Sequence, residues 1–400
     1  MDRRAIIAGA GIGGFSSALA LSQAGFKVAL YERAKFLEEF GAGIQLTPNA
    51  TRVLFRLNLL ESLSTAAMRP LVVRVLRGRD DAVLARMELD DAERRWGAPY
   101  LALHRADLQA ALAKRVAHDA NIDLFLGACV AGVGQDGDQV SVTINKNASA
   151  RDNADLLIGA DGLYSNVRES IGSREAVAFT GCVAFRALVD SSLLESRWSE
   201  PEITLRLGPN AHLVHYPLRG GSIVNVVAVI EFEPTDLSDR APWDGVANLS
   251  ALERAFARWS APTRRLLTAT TGWRAWPLHI RRPLRAFHFG RVALVGDAAH
   301  PMVPFLAQGA AQAIEDADAL GRSLSKATDI RTGLADYSRD RVGRATRVQI
   351  EAQRQGLIYH LGGPMVFARD AALKLLGGSG LKARYDWLYG VRRQSGAGSS

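Results

Sequence analysis

The chain has 400 residues, of which 48% are hydrophobic, 22% charged and 7% aromatic, with a formal net charge of +8. That mixture excludes a mainly disordered, collagen-like or disulfide-framework protein, and the length allows about two to four domains. Two cysteines, Cys129 and Cys182, cannot make a metal cluster by themselves, and no apolar run approaches the ~18 residues that cross a bilayer.

The opening stretch, two arginines followed by small and apolar residues, has the outline of a secretory signal. Five glycines interrupt residues 3–25, however, and an apolar strand follows directly. The better reading is a strand at 5–8, a glycine turn at 9–14, a helix at 15–24 and a second strand at 26–31. Such a βαβ opening predicts a parallel, doubly wound sheet. Residues 48–66 predict a helix with Pro48 near its start, and 71–89 alternate as strands. A helix is expected over 105–119, with Leu108, Leu112 and Val116 on one stripe. Short strands follow across 122–145 and end in LLIGADG at 156–162.

From about 178 to 285 the pattern changes. Residues 183–189, 203–207, 212–217 and 223–230 read as strands separated by Gly, Pro and Ser turns. They predict a mostly antiparallel sheet inserted between pieces of a nucleotide-binding domain. Residues 292–295 then predict a buried strand leading into GDAAHP, and 308–325 and 334–357 predict helices. The expected fold is therefore α/β: a Rossmann-like domain, an inserted mostly antiparallel β-sheet domain and a C-terminal helical segment. Its nucleotide-binding pieces fall at 1–75, 101–177 and 286–340, and the inserted domain at 76–100 and 178–285. C-terminal helices are expected at 341–390 and a disordered tail at 391–400.

Residues 331–400 carry most of the net charge, with 12 Lys or Arg against 5 Asp or Glu. The charges are scattered and no nucleic-acid motif accompanies them, so a solvated helical face is expected and no nucleic-acid partner. The eight histidines are dispersed without ligand spacing, so no metal site is expected.

Three motifs carry chemistry. Gly9-Ala10-Gly11-Ile12-Gly13-Gly14 fits G-x-G-x-x-G between a strand and a helix. The first glycine permits the tight turn, the second lets backbone approach a pyrophosphate, and the third allows close helix–strand packing. Glu32 ends the next strand, 18 residues past Gly14, where a carboxylate can bind the ribose of an adenosine. This predicts a dinucleotide without separating FAD from NAD. IGADGLYSNVR at 158–168 and VALVGDAAHPMVPFLAQGAAQAIEDA at 292–317 each join a strand to a helix. Asp297 stands where a carboxylate can accept hydrogen bonds from a polyol, and Gly309 opens a helix whose amides can face an electron-rich ring. Taken singly, each is also an ordinary strand–turn–helix junction.

Taken in this order, the motifs resemble those of the class A flavoprotein aromatic monooxygenases, the family of para-hydroxybenzoate hydroxylase and salicylate hydroxylase. The resemblance runs from GAGIGG through GADG and VGDAAHP to YDWLYG at 385–390. It implies an FAD-binding domain around an inserted substrate domain. It also implies transient NADH or NADPH, whose lack of a second G-x-G-x-x-G it explains, and oxygen transfer to a bound phenol through a flavin hydroperoxide. Carried over by motif, Gly9, Gly11, Gly13, Gly14, Glu32, Asp161, Asp297, Gly309 and Ala310 become FAD residues, with Arg33 and Val130 beside them. Arg105, in HRADL at a helix start, matches an arginine against the flavin. Pro304 matches the position whose carbonyl lies near flavin and substrate, with Phe305 lining the same pocket. Some related hydroxynicotinate hydroxylases have a histidine where Phe305 stands, which argues against a pyridine substrate.

A phenolate reacts better than a phenol with electrophilic oxygen, so a histidine or tyrosine near the ring hydroxyl is the expected assistant. His212 and Tyr216 share one face of a strand and His215 points the other way. The family favours the first face, and His215 stands as a further substrate contact. A strand histidine is also often a packing residue. Gln45 and Tyr100 can reach the ring, and Arg186 can pair with a substrate carboxylate. The expected function is hydroxylation of a salicylate- or hydroxybenzoate-like acid by a cytoplasmic monomer or homodimer. Alternatives are a bulkier or heteroaromatic ring (hydroxynicotinate, quinone precursor, polyketide) and a non-oxygenating FAD reductase.

Overall fold

The computed structural model describes residues 3–37, 42–145, 150–173, 175–232, 245–246 and 249–390. Ala5, Ile6, Ile7 and Ala8 are all buried because the strand Arg3–Ala8 runs through the middle of a six-stranded sheet. The spatial order is His288–Phe289, Val292–Leu294, Leu156–Gly159, Arg3–Ala8, Phe26–Glu32 and Ile122–Leu126. All neighbours are parallel except the first pair. Strands covered on both faces need continuous apolar runs instead of alternation, which AIIA, LLIG and VAL supply. Ala8 is level with Gly159, and Gly159 with Leu294. The loops after these three strands therefore converge at one edge, where open α/β sheets bind ligands.

Helix Ile12–Gln23 packs on helix Gly309–Lys326 through small residues. A Cβ on Gly13 would lie 3.4 Å from the Ala313 Cβ, and one on Gly321 would lie 2.9 Å from the Ala20 carbonyl oxygen. The expected helix over 48–66 is divided into Pro48–Arg56 and Leu60–Leu63. Asn58, at φ 59, turns the chain between them, a left-handed conformation that ends helices.

The inserted region forms an eight-stranded sheet. Its order is Gly245–Val246, Arg274–Ile280, Ala178–Asp190, Ile223–Glu231, Ala211–Leu218, Glu202–Gly208, Val72–Arg77 and Val83–Glu88. Only Glu202–Gly208 and Val72–Arg77 pair in parallel. The sheet thus takes in residues from Val72 onward, ahead of the boundary at 76 that the sequence suggests. A separate antiparallel sheet holds Val130–Asp136, Gln139–Ile144 and Ala150–Ala154.

One face of the large sheet packs on helices Leu249–Phe256 and Ala261–Thr268, with Trp198, Trp259 and Trp273 among the buried side chains. Truncating such a buried aromatic costs about 3–5 kcal/mol. The opposite face meets the loop containing Val303 and Leu306 and the long helix Ile330–Tyr359. A last helix, Met365–Tyr389, bends at Gly377 (φ 61). The tail at 391–400, expected to be disordered, lies outside the described residues. Cys129 and Cys182 are free thiols. Among the described residues no helix is long and apolar enough to cross a membrane and no His/Cys/Asp/Glu group could hold a metal ion.

Candidate functional site

The glycine turn is built by backbone crowding on one side and space on the other. Gly9 sits at φ +99 with its would-be Cβ 2.6 Å from the Ala160 oxygen, and a Cβ on Gly14 would come within 1.8 Å of the Gly9 oxygen. A Cβ on Gly11, by contrast, would meet nothing within 4 Å. Gly11 is also the N-cap of helix Ile12–Gln23, which has no capping side chain and no acid in its first turn. Free N–H groups and the positive end of the helix dipole therefore face open space, a ready anion site. Glu32 closes the far side, accepting from Ala10 N at 2.7 Å and Ala34 N at 2.9 Å, with Arg33 exposed next to it.

A second helix start answers the first. Helix Gly309–Lys326 also lacks a capping side chain and a first-turn acid, and Gly309 faces open space. The loop before it is held from behind. Asp316 accepts from Gly296 N at 2.8 Å, from the His300 ring at 2.5 Å and from Arg341 Nε at 2.7 Å. Burial alone would raise the Asp316 carboxyl, but His300 and Arg341 overcome it and hold it below the usual range. Glu315 beside it is pulled down to about 2: burial opposes this, and Arg341 and Arg344 override burial. The carboxylate of Asp297 has surface open to solvent but protein on its flanks, and that enclosure pushes it up against the pull of His300 and Arg105. Two uncapped helix ends, a glycine with room above it and an accessible carboxylate between them fit an extended dinucleotide with an electron-rich ring at one end.

Two expected cofactor residues have other engagements. Asp161 accepts from Ser165 Oγ at 2.5 Å and Val167 N at 3.1 Å, so its carboxylate closes its own turn. The Val130 carbonyl accepts from Asn166 Nδ2 at 3.3 Å. Arg168, which no motif singles out, is fully buried and donates to the carbonyls of Ala298 and Ala299. It ties the GADG segment to the GDAAHP loop.

The second half of the site lies on the open face of the large sheet. Tyr100 donates to Gln45 Oε1 at 2.7 Å, and Tyr216 also reaches Gln45. Burial pushes the Tyr216 phenol up, with Arg186 and Gln45 pulling it partway back. Asn225 lies level with Tyr216 on the next strand and accepts from Gly43 N at 2.7 Å, leaving its buried Nδ2 without a partner. Arg186 stacks over Trp276 at 5.2 Å, and its buried Nε is likewise unpartnered. Burial and the charge of Arg105 hold the Arg186 guanidinium below its ordinary pKa. Neither Arg105 nor Arg186 forms an ion pair among the described residues.

His212 shares this face, four residues from Tyr216 and so about 13 Å along the strand at ~3.3 Å per residue. It lies edge-on to Phe305 (ring centroids 5.1 Å apart) and Tyr359 (5.2 Å). Its Nδ1 is 2.7 Å from His360 Nε2. Burial and His360 push the His212 pKa well below the ordinary value, so it is neutral. Phe305 fits against the long helix because Gly356 has no side chain there; a Cβ would come within 2.4 Å of the ring. Pro304 opens the turn Pro304–Leu306, and its carbonyl accepts from Ala307 N at 2.9 Å. Ala307, at φ 52, carries the backbone strain that re-aims the chain toward Gly309.

His215 does not join this group. It packs edge-on against Trp198 (4.7 Å) on the covered face of the sheet, with both ring nitrogens buried and unpartnered. The strand's alternation turns it away from Tyr216, which removes it from the substrate contacts expected from the sequence. Asn225, Trp276 and His360 were missed because each reaches the site through strand register or a helix end remote in sequence.

A family model described as an FAD binding domain matches residues 2–352. The 3-amino-4-hydroxybenzoate 2-monooxygenase of Streptomyces cremeus is 36% identical over 396 residues, covering 97% of this chain and 95% of that relative. The 3-hydroxybenzoate 6-hydroxylase of Polaromonas naphthalenivorans is 33% identical over 393 residues, covering 97% and 96%. Among solved structures, HpxO of Klebsiella pneumoniae complexed with FAD and uric acid superposes with a TM-score of 0.86 at 25% identity, covering 97% of this chain and 96% of that one.

Proposed function

The chain belongs to the FAD-binding-domain family, as a class A flavoprotein aromatic monooxygenase, and from that premise we propose that its substrate is a small hydroxybenzoate-like acid. The overall reaction is Ar–H + O2 + NAD(P)H + H⁺ → Ar–OH + H2O + NAD(P)⁺. Bound FAD supplies the redox chemistry, passing electrons from the nicotinamide to O2. The side chains and backbone of this chain hold the FAD, orient the ring, exclude water and move the proton.

Gly9, Gly11 and Gly14 open the turn for the pyrophosphate, with Gly13 seating helix Ile12–Gln23 against its neighbour. Glu32, followed by Arg33, would take the adenosine ribose, with Val130 as a further candidate contact to that half of the cofactor. Asp297 would accept from the polyol, and the N–H groups at Gly309 and Ala310 would serve the electron-rich ring. Asp161 acts by shaping its loop, and Arg105 adds positive charge between Asp297 and Arg186.

One observation carries the substrate assignment: Arg186 is half-buried, its buried Nε has no hydrogen-bond partner and it makes no ion pair among the described residues, on the same sheet face as a neutral His212. Withdrawing part of a cation from water without a counter-ion is costly, and a substrate carboxylate supplies that counter-ion. With the carboxylate on Arg186, the ring lies over Val214, between Tyr216 and His212, and under the turn at Pro304 and Phe305. Gln45, Tyr100 and Asn225 offer the remaining polar contacts. Two free cysteines fit a reducing, cytoplasmic setting.

The test is NADH and NADPH consumption against hydroxylated product and peroxide, over 3-hydroxybenzoate, 3-amino-4-hydroxybenzoate, salicylate, hydroxynicotinates and uric acid. One product per nicotinamide with a hydroxybenzoate is expected. Coupled turnover of uric acid alone would replace the carboxylated substrate with a heteroaromatic ring, and nicotinamide oxidation with no product from any of them would refute the assignment.

A further inference from the structure

Behind His212 the polar contacts continue in a line. His212 Nδ1 is 2.7 Å from His360 Nε2, and His360 Nδ1 is 3.1 Å from Glu231 Oε1. The His360 side chain is 4% exposed and that of Glu231 47%, so the line runs from the buried sheet face to water. It ends at a cavity of about 720 Å³ whose walls include Glu231, His360, Phe305, Cys182 and Asn210. The other charged group near His360 is Arg369, which is tied to Asp370 and the Tyr359 carbonyl. Among the described residues His212 has no charged neighbour besides this line.

The chemistry of the three groups fixes where the protons sit. An ionised carboxylate only accepts, so His360 Nδ1 must donate to Glu231. A neutral imidazole carries one N–H, so His360 Nε2 is an acceptor and His212 Nδ1 must donate to it. The lone pair of His212 is thereby left on Nε2, the nitrogen that makes no hydrogen bond to the described residues. Glu231, two groups away, thus sets which nitrogen of His212 is basic.

We propose that His360 and Glu231 form a proton line between His212 and solvent, with His212 Nε2 as the base that takes the proton of the substrate hydroxyl. The substrate O–H bond breaks and its proton goes to His212 Nε2. The Nδ1 proton of His212 passes to His360 Nε2, and the Nδ1 proton of His360 passes through Glu231 to water. When the product hydroxyl regains a proton, the line runs backward and both rings recover their starting tautomers. The identity of the proton donor rests on the hydroxylase reading; the tautomers do not. His212 is the catalytic residue here, and His360 and Glu231 are positioning residues that act through it.

Two measurements test the line. The first is nitrogen-15 NMR of histidine-labelled, FAD-loaded protein, with assignments from His212→Asn and His360→Asn. Both rings are expected as Nδ1–H tautomers, and Glu231→Gln should shift the His360 and His212 tautomer populations together. An Nε2–H tautomer at His212 in the native protein overturns the proposal whatever the substrate is. The second is single-turnover reaction of the reduced protein with O2 and 3-hydroxybenzoate. His360→Gly should slow hydroxylation by about 100-fold and Glu231→Gln by about tenfold, with flavin reduction within about twofold of the native rate. Added imidazole should restore the His360→Gly variant and pyrrole, which has the shape without the relay, should not. Equal rescue by both, or unchanged hydroxylation in both variants, overturns the proposal. A native protein with the expected tautomers that hydroxylates none of the acids breaks the substrate reading and leaves the histidine line standing.

Discussion

His212 and His215 lie three residues apart on one strand, both almost fully buried, and they end in opposite chemical situations. His212 faces Phe305 and hydrogen-bonds His360, at one end of a line that reaches water. His215 faces Trp198, and neither ring nitrogen has a partner among the described residues. Burial pushes both pKa values well below the ordinary value, with His360 adding to it for His212 and with Arg206 and Arg74 adding to it for His215. A depressed pKa is therefore no mark of function by itself. What separates the two is whether the unprotonated nitrogen looks into a space where another molecule can come.

That contrast can be broken by substitution on either face. The largest effect is expected from His212→Ala, which should slow ring hydroxylation by about 100–1,000-fold in single turnover while leaving flavin reduction within about twofold. Equal loss in both half-reactions would mean that His212 only supports the fold. Next is Arg186→Ala, which should raise KM for a hydroxybenzoate by about 10–100-fold, the scale of a hydrogen bond to a charged group. The methyl ester of the same acid should show no such increase; a matching increase for the ester would remove the carboxylate from Arg186. Tyr216→Phe removes one hydroxyl from the pocket and keeps the packing, so kcat/KM should fall by about tenfold.

The smallest catalytic effect belongs to the covered face. His215→Phe keeps the contact with Trp198 and should leave kcat/KM within about twofold. Its effect should appear in acid stability instead. The folded-state pKa of His215 lies below the unfolded value near 6.5, so the unfolded chain binds more protons as pH falls. The stability contribution of neutral His215 is full above that value and is lost as pH drops through it, by up to about 1.4 kcal/mol per pH unit. Urea midpoints at pH 8 and 5.5 should therefore differ less in His215→Phe than in the native protein. An unchanged difference would show that His215 is not neutral in the fold.

The nucleotide half of the molecule was readable in advance because its signals are local. The strand Arg3–Ala8, the turn at Gly9–Gly14 and the strand Phe26–Glu32 lie within about thirty consecutive residues, and each depends on its own apolar run or backbone freedom. Three of the four main strands of the inserted sheet were likewise placed within one residue of their observed ends, while the first begins five residues ahead of its expected start. The helix expected across 48–66 failed at Asn58, a residue that adopts the left-handed conformation when the next segment needs a new direction. Asp161 accepts from Ser165 and Val167 of its own turn, an engagement that motif spacing does not reveal.

The substrate half was legible only as a set of candidates. Alternation along Ala211–Leu218 put His212 with Tyr216 and opposite His215, and the fold agrees with that division. It gave no hint of Asn225, because Asn225 is level with Tyr216 through antiparallel register. His360 comes from the end of a helix 148 residues away.

The amino-acid sequence by itself determined the cradle, since a turn that must avoid a Cβ and a strand buried on both faces impose their requirements on neighbours along the chain. Tertiary structure alone decided which polar groups meet. Strand register and the landing point of a long helix are set by packing of the whole core, so only there does Arg186 stand without an ion pair among the described residues and His212 gain His360.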